Sequence, residues 1–366
     1  MNKVGILTYH NGFNYGACLQ AYALQQVVRR YYPDTEIINF ESIDFLASRE
    51  MFSRKPQHFK EIVKIVSRLP FYSVLKAREE RFRTFERDCL KTTLLYRTEA
   101  EVRAAASTYD CIICGSDQIW NLSASAGPAA NMLYFLNFPK KQRRVAYAAS
   151  FGRWVKEADN CAKDFLPWLR QFDAISVREK SGVDYLRSKG IDCQQTLDPT
   201  ILLDSGDYDK IASPRLIKDD YILIFGWMLN SDLVNAAKKV QKALNLPIYN
   251  IVPPPRGIFS GCRRRLDVGP QDFLSMIKYA SFVVTNSFHG TAFSTTYQKP
   301  FVSVVTDTPD PRMKSLLDQL GLVDHLVGEA EVDVQRMLDT DFSQVQERKE
   351  KLRASSIGFL ERALEN

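Results

Sequence analysis

Short apolar runs rich in β-branched residues alternate with helical patterns along almost the whole chain. Continuous apolar strands separated by helices are typical of parallel sheets that are covered on both faces. The pattern therefore predicts an α/β protein built on parallel sheets. The predicted strands are residues 4–8, 36–40, 111–115, 145–150, 174–177 and 194–197 in the first half and 221–227, 247–252, 282–285 and 301–306 in the second, with helices over 19–31, 231–244 and 270–278.

The alternation begins again after Asp204, which predicts a domain boundary near 205–219. A chain of 366 residues is long for one core and comfortable for two domains. We expect two Rossmann-like parallel-sheet domains, over 1–210 and 211–335, that face a cleft, and a final helix within 336–366 that packs back on the first domain. Such sheets bind ligands at the carboxyl ends of their strands, so the residues after each strand are the functional candidates.

Composition and cysteine content exclude several classes of protein. Hydrophobic residues make up 45% and charged residues 25%, and no apolar run approaches the roughly 18 residues that cross a bilayer. The N-terminal apolar stretch is too short for a signal peptide, which favours a cytoplasmic protein. Seven scattered cysteines do not form a disulfide framework. Cys111 and Cys114 lie in a strand pattern, so we interpret them as buried small hydrophobic residues rather than a redox or zinc motif.

The net charge of +6 is concentrated in a helical insertion over residues 49–91, assigned to the first domain. This insertion has twelve basic and six acidic residues, so it carries the excess of the whole chain. No nucleic-acid-binding motif accompanies the charge. A basic helical surface that faces anionic lipid or an acidic substrate explains it, and would bring the protein to the inner face of the membrane. A solvated helical insertion explains it equally well.

Polar side chains follow the first and third predicted strands. Asn14 and Tyr15 lie in a glycine-containing turn that suits an anion or a sugar hydroxyl, although a structural turn also explains its glycines. The turn is neither a Rossmann nor a Walker motif. Asp117, Gln118 and Trp120 follow the third strand and combine hydrogen-bonding groups with an aromatic face, as a sugar site requires. A capped turn is the alternative.

Arg178, His289 and Trp227 also follow predicted strands. Arg178 could bind a phosphate or carboxylate through its planar fork, and a surface salt bridge with Glu179 is the alternative. His289 lies in a polar turn that starts a helix, where this fold places function, so we interpret it as catalytic. Histidine suits that role because its ordinary pKa lies closest to neutral pH. Trp227 fits stacking on a sugar or donor as well as it fits a core.

Five segments together resemble the polysaccharide pyruvyl transferase family. The resemblance implies a two-domain fold similar to GT-B glycosyltransferases. It also implies transfer of a pyruvyl group from phosphoenolpyruvate to a sugar, usually as a cyclic ketal across two hydroxyls, with the acceptor on the first domain and the donor on the second. Neither a redox cofactor nor a metal is required. The segments are residues 14–24, 115–121, 176–179, 197–200 and 287–291.

The resemblance also suggests roles for individual residues. His289 would be the general acid and phosphate contact, Arg178 the donor clamp and Asp117 the acceptor base. In some members an arginine stands where this chain has Ser287, and Arg312 or Lys314 could replace it. A nucleotide-sugar glycosyltransferase and a non-catalytic binding protein on the same fold remain alternatives. The full donor set is Arg178, Ser287, His289, Lys299, Arg312 and Lys314, and the acceptor set is Asn14, Tyr15, Gln118, Trp120 and Trp227.

Overall fold

The computed structural model describes residues 2–41, 59–122, 132–226, 228–254, 257, 261–305 and 310–365. The chain divides into two compact units, and each contains one six-stranded sheet. This confirms the predicted α/β class with two parallel sheets. The first unit comprises Met1–Arg49, Glu86–Leu203 and Glu350–Asn366, and the second comprises Glu50–Phe85 and Asp204–Lys349.

All neighbouring strands within the two sheets pair in parallel. The first sheet has the order β2-β1-β3-β4-β5-β6, and the second has the order β12-β11-β10-β7-β8-β9. The strands are β1 (Lys3–Leu7), β2 (Asp34–Ile37), β3 (Cys111–Cys114), β4 (Arg143–Ala149), β5 (Ala174–Val177), β6 (Gln194–Gln195), β7 (Ile222–Phe225), β8 (Ile248–Asn250), β9 (Arg263–Arg264), β10 (Phe282–Thr285), β11 (Phe301–Val304) and β12 (Leu326–Val327).

Helices separate most of these strands, and none of the described helices is long and apolar enough to cross a membrane. The helices are α1 (Tyr15–Arg29), α2 (Phe59–Arg68), α3 (Tyr72–Cys89), α4 (Glu99–Ala106), α5 (Ala162–Leu169), α6 (Lys180–Ser188), α7 (Ser205–Asp209), α8 (Ser231–Leu244), α9 (Pro270–Lys278), α10 (Phe288–Thr296), α11 (Pro311–Leu320), α12 (Val334–Leu338) and α13 (Phe342–Leu364).

The helix boundaries follow the local sequence closely, with one informative difference. Helices α8 and α9 begin and end at the predicted residues. Helix α1, in contrast, begins at Tyr15, four residues before the predicted start at Leu19. The side chain of Asn14 accepts hydrogen bonds from the backbone N–H groups of Gly16 and Ala17, so it caps the helix at this earlier position. The predicted polar turn is therefore shorter than the sequence suggested.

The described part of the basic insertion belongs to the second unit as far as Phe85, whereas the sequence analysis had assigned residues 49–91 to the first; only residues 86–91 belong to the first unit as predicted. Its helix α3 joins the second unit through two arginines. Arg81 Nη1 lies 2.6 Å from Asp272 Oδ2, and Arg78 Nη1 donates to the carbonyl of Ile251 at 3.2 Å. The part of the insertion over 49–58 lies outside the described residues.

All seven cysteines are free thiols. Cys111 and Cys114 are fully buried in β3, which confirms their interpretation as small hydrophobic residues. Burial raises the pKa of Cys111 to about 12 and that of Cys114 well above its ordinary value. Neither thiol therefore supplies a thiolate near neutral pH.

Both sheets reverse their strand order beside their first strand, and this reversal indicates where each can bind a ligand. In the first sheet β1 has β2 on one side and β3 on the other, and in the second sheet β7 has β8 and β10. The chain crosses to the other side of the first strand in both units. Open parallel sheets bind ligands at the carboxyl ends of the strands at this reversal point. The functional candidates should therefore follow β1 and β3 in one unit and β7 and β10 in the other.

Candidate functional site

Three charged side chains meet at the carboxyl edge of the first sheet. Asp117 follows β3, Arg178 follows β5 and Asp198 follows β6. Arg178 Nη1 lies 2.5 Å from Asp198 Oδ2, and Arg178 Nη2 lies 3.5 Å from Asp117 Oδ1. The exposed fractions of these side chains are 2% for Arg178, 0% for Asp198 and 8% for Asp117. The edge therefore holds two carboxylates against one guanidinium, and Asp117 is the member closest to the surface.

The carboxylate of Asp198 is held by a set of hydroxyl and backbone donors. Its Oδ1 accepts from the backbone N–H of Thr200 at 3.0 Å and from the Thr200 hydroxyl at 2.7 Å. Its Oδ2 accepts from the Ser116 hydroxyl at 3.1 Å, in addition to Arg178. A charge this deeply buried is tolerated when it is paired and its oxygens accept hydrogen bonds. Asp198 is thus the fixed counter-ion of Arg178.

The backbone of Asp117 presents its side chain from a constrained position. Its φ of 71° is in the left-handed region, and its carbonyl accepts from the backbone N–H groups of Ile119 and Ser150. Its Oδ1 also accepts from the backbone N–H of Gln118 at 2.8 Å. Within the described part of the chain, the contacts of this carboxylate all involve Oδ1. The second oxygen can therefore accept a proton or a hydrogen bond from a ligand.

A buried polar network joins this edge to the turn after β1. The Thr8 hydroxyl donates to the carbonyl of Ser116 at 3.0 Å and accepts from Gln20 Nε2 at the same distance. Asn14 is exposed, but its side-chain oxygen caps α1, and Tyr15 is buried in the first turn of that helix. Both residues thus help to form the start of α1, and their assignment as acceptor contacts stays a prediction.

Of the remaining acceptor candidates, only Gln118 is described at the surface of this edge. Gln118 is half-buried, and its Oε1 accepts from Asn121 Nδ2 at 2.9 Å. Trp120 is fully buried, donates its indole N–H to the carbonyl of Tyr134 at 3.0 Å and stacks on Phe135. The prediction of Trp120 as a sugar platform is wrong, because its side chain is fully buried in the hydrophobic core. Trp227 lies outside the described residues.

At the second sheet, β10 runs into a polar turn and then into α10. Ser287 caps this helix, and its side chain accepts from the backbone N–H of Gly290 at 3.5 Å. His289 is the second residue of the helix and is 7% exposed. The ring of Phe288 packs perpendicular to the imidazole, with 5.1 Å between centroids. His289 thus lies at the positive end of a helix dipole, at the carboxyl edge of the sheet.

Two glycines allow the close packing of this turn. A Cβ on Gly290 would lie 2.2 Å from the Thr285 hydroxyl, and a Cβ on Gly226 would lie 2.1 Å from Asn286 Oδ1. Both distances are far below any real contact, so a side chain at either position would displace the turn. The glycine after His289 is therefore needed for the backbone of α10 to approach β10.

Arg312 is the predicted cation that lies beside the His289 turn. It is the second residue of α11, and its guanidinium carbon lies 5.8 Å from the centre of the Phe288 ring. Arg312 also forms a two-point ion pair with Asp310, at 2.9 Å from Nε to Oδ1 and 2.5 Å from Nη2 to Oδ2. Both side chains are 13% exposed. Arg312 can therefore reach a ligand bound at this edge.

The other two predicted donor cations, Lys314 and Lys299, have different surroundings. Lys314 forms an exposed ion pair with Asp318 along α11, at 2.6 Å. Lys299 precedes β11 and so lies at the amino end of that strand, across the sheet from the carboxyl end of β10. Its pKa is lowered by burial and by the nearby charges of Arg215 and Lys278. Lys299 thus lies at the opposite edge of the sheet from the His289 turn, whereas the assignment of Lys314 stays a prediction.

Sequence reasoning missed Ser116 and Asp198 as site residues. Both lie directly beyond predicted strands, at the ends of 111–115 and 194–197. The rule that selected Asp117, Arg178 and His289 would also have selected Asp198, because all of them follow parallel strands. Asp198 pairs with Arg178, which lies twenty residues earlier in the chain, and the spacing of the two residues in the sequence does not predict this contact.

Within the described residues, no group of three or more histidine, cysteine or acidic side chains is arranged to hold a metal ion. The charged residues at the first edge are instead paired with one another. The chemistry that this edge can supply is proton transfer and hydrogen bonding by Asp117.

The fold is similar to that of sugar-nucleotide enzymes with a GT-B fold. A putative UDP-N-acetylglucosamine 2-epimerase from Listeria monocytogenes matches with a TM-score of 0.53 and 11% identity, over 96% of this chain and 91% of that chain. The UDP-GlcNAc 2-epimerase of Methanocaldococcus jannaschii, in complex with UDP-GlcNAc and UDP, matches with a TM-score of 0.52 and 11% identity, over 97% and 100%. At this identity the likeness establishes the fold alone.

Sequence comparison identifies the family. No curated protein matches the chain significantly. The profile of the polysaccharide pyruvyl transferase family, however, matches residues 14–308. This match runs from the end of the turn after β1 to just beyond β11 and includes the carboxyl-edge residues Asp117, Arg178, Asp198 and His289. The chain therefore belongs to the polysaccharide pyruvyl transferase family.

Proposed function

We propose that the protein transfers the pyruvyl group of phosphoenolpyruvate to a sugar of a cell-surface polysaccharide, or of its lipid-linked precursor, and forms a pyruvate ketal. The observation that carries this proposal is the family match over residues 14–308, which includes both carboxyl edges. The two edges offer complementary chemistry, since one holds an excess carboxylate and the other a histidine at a helix N-terminus.

On this proposal the second unit binds the donor. The N-terminus of α10 favours a phosphate or carboxylate through its dipole. His289, in the first turn of that helix, donates a proton to the methylene carbon of phosphoenolpyruvate. Arg312 supplies the positive charge that Ser287 does not, because its guanidinium packs beside Phe288 in the same turn. Ser287 itself contributes its helix-capping hydroxyl.

The first unit supplies the base for the acceptor. Asp117 accepts the proton of the attacking sugar hydroxyl through Oδ2, and Gln118 beside it orients the sugar. Arg178 is better suited to position Asp117 than to clamp the donor. Its Nη1 is held by Asp198 and its Nη2 lies 3.5 Å from Asp117 Oδ1, so the buried guanidinium is fixed beside that carboxylate. We therefore assign Arg178 and Asp198 to the positioning of Asp117.

The proposed steps balance in protons and charge. Protonation of the methylene carbon by His289 leaves a positively charged centre at C2, to which the first sugar hydroxyl adds while its proton passes to Asp117. The bond from C2 to the phosphate oxygen breaks, and inorganic phosphate leaves with the proton from Asp117. The second hydroxyl then adds to C2 and closes the ketal, and its proton returns to His289.

Phosphate release tests the proposal directly. The purified protein should liberate inorganic phosphate from phosphoenolpyruvate only when an acceptor glycan is also present. Mass spectrometry of that glycan should show the gain of one pyruvate less one water. Release of a nucleoside diphosphate from a sugar nucleotide would instead assign the protein to glycosyl transfer. Stabilisation by neither donor in a thermal-shift assay would favour a non-catalytic binding protein, since a donor at 100 times its Kd should add about 2.7 kcal/mol.

A further inference from the structure

An apolar surface is exposed on the helical insertion of the second unit. Six of the twelve large hydrophobic side chains that are exposed in the described residues lie within thirteen consecutive positions. Their exposed fractions run from 38% to 58%. A concentration of this kind marks a site of interaction, whereas single exposed hydrophobic residues do not. The apolar surface consists of Ile62, Val63, Val66, Leu69, Tyr72 and Val74.

The insertion is anchored from its other side. On α3, Leu75 and Phe85 are fully buried and Phe82 nearly so. Arg78 is also buried, where it donates to the carbonyl of Ile251 in the second unit. The segment is therefore fixed by one face while the apolar surface remains in contact with water. Ile62 and Val66 stand four positions apart on α2, so they share one face of that helix, and Leu69 follows directly after its end.

Arginines border this apolar surface. The guanidinium carbon of Arg264, on edge strand β9, lies 5.7 Å from the centre of the Phe71 ring, which follows Leu69 in the chain. Arg263 and Arg264 are exposed, and neither forms an ion pair among the described residues. The charges of α3 itself are largely neutralised, because Lys76 and Arg83 both pair with Glu79. The positive charge beside the apolar surface therefore does not come from the insertion alone. Arg263 and Arg264 of β9 contribute to it.

We propose that the apolar surface, with Arg263 and Arg264 at its border, docks the protein on an anionic membrane. The apolar side chains enter the boundary between headgroups and acyl chains, and the two arginines contact lipid phosphates. A second copy of the chain fits less well. Two such surfaces placed face to face would bring the unpaired arginines of one copy against those of the other. Docking of this kind does not depend on the proposed transfer reaction.

Vesicle co-sedimentation tests this surface. The full-length protein should bind vesicles of phosphatidylcholine and phosphatidylglycerol at least tenfold more tightly than vesicles of phosphatidylcholine alone. The double variant Val66→Glu, Leu69→Glu should lose at least tenfold in this binding, and Arg263→Glu, Arg264→Glu should lose the preference for anionic lipid. Leu94→Glu is the matched control, because Leu94 is 87% exposed in the first unit and should bind as the wild type does.

Several outcomes would overturn the proposal. Absence of binding to either vesicle, or equal binding to both, would exclude anionic lipid as the partner. Unchanged binding of the Val66→Glu, Leu69→Glu variant would remove the apolar surface from the interaction. Analytical ultracentrifugation tests whether the apolar surface instead binds a second copy of the chain. A wild-type dimer that the Val66→Glu, Leu69→Glu variant alone fails to form would assign the surface to a second copy. As a control, the variants and the wild type should have equal unfolding midpoints, because all of the substituted positions are exposed.

Discussion

Both units of this protein reverse their strand order beside their first strand, but they differ in the electrostatics of their ligand-binding edges. At the first edge Arg178 is buried between Asp117 and Asp198, which leaves an excess of one carboxylate. At the second edge His289 begins a helix that a neutral serine caps, and the nearby pair of Arg312 and Asp310 remains partly exposed. One edge is thus a buried ionic cluster, and the other is a helix N-terminus with a shallow ion pair.

This difference shows what topology decides and what it leaves to individual residues. The reversal of strand order places polar residues at the same point in both units. The hydroxyl and backbone donors of Ser116 and Thr200 then allow a buried aspartate in the first unit. In the second unit the turn after β10 is capped instead by the neutral side chain of Ser287. The same topological position thus holds a buried ion pair in one unit and a neutral helix cap in the other.

The largest effect should follow removal of the buried counter-ion in the first unit. Asp198→Ala leaves the guanidinium of Arg178 facing Asp117 alone at 3.5 Å. We expect the free energy of unfolding of this unit to fall by about 3–5 kcal/mol, as for other buried pairs that lose one partner. Tryptophan fluorescence in a urea titration reports this unit, since three of the four tryptophans lie in it: Trp120, Trp154 and Trp168.

Asp310→Ala in the second unit is the matched comparison. Asp310 caps α11 and pairs with Arg312, but both side chains are partly exposed. Loss of the cap and of a shallow pair should cost about 0.5–2 kcal/mol. Equal destabilisation by the two alanine variants would contradict the contrast between a buried and a shallow ionic edge. Hydrogen exchange of the second sheet measures this smaller loss.

His289 tests the chemistry assigned to the second edge. General acid catalysis usually contributes about 10²–10⁴ in rate, so His289→Ala should lower kcat at least a hundredfold. His289→Asn separates two roles, because asparagine retains a hydrogen-bond donor but cannot transfer a proton. Near-normal turnover of the asparagine variant would leave His289 only a binding role. An unchanged kcat in a folded alanine variant would show that the site is misassigned.

Much of this arrangement was predictable because parallel sheets place function after their strands. Asp117, Arg178 and His289 were selected by that rule, and all three lie at carboxyl edges. The same rule, applied to Lys299, would have rejected it, since a residue that precedes a parallel strand lies at the opposite edge. The prediction of Lys299 as a donor contact relied on the positive charge of its side chain and on its proximity in sequence to His289.

Other features depend on tertiary contacts that periodicity does not record. Strands β9 and β12 have two residues each, too short to form a pattern. Trp120 follows a strand, as a ligand platform would, but its burial depends on Phe135, which approaches from a later segment. The partner of the insertion depends on the ion pair between Arg81 and Asp272, nearly two hundred residues apart. Such distances in sequence leave no local signal.

A smaller effect should distinguish Arg312 from Lys314 at the second edge. Hydrogen bonds to charged groups are worth about 1.5–3 kcal/mol, so Arg312→Ala should raise the KM for phosphoenolpyruvate by roughly 10- to 100-fold. Lys314→Ala is the matched control on the same helix, because its charge pairs with Asp318 in solvent. Initial rates at varied donor concentration measure both. A larger change in KM for the lysine variant would reverse the assignment and restore Lys314 as the donor cation.

The smallest effect concerns a buried histidine that stabilises only the second unit. His325 is 4% exposed, and its Nδ1 lies 2.9 Å from the carbonyl of Phe301. Burial lowers the pKa of His325, although that hydrogen bond and Asp324 partly oppose the change. In the unfolded chain the pKa is about 6.5, so as pH falls the unfolded state binds the proton first. The stability of the second unit is therefore full above that pH and declines below it, by at most about 1.4 kcal/mol per pH unit. His325→Gln should abolish this slope, which hydrogen exchange of β11 can measure, and an unchanged slope in the variant would assign the acid sensitivity to another group.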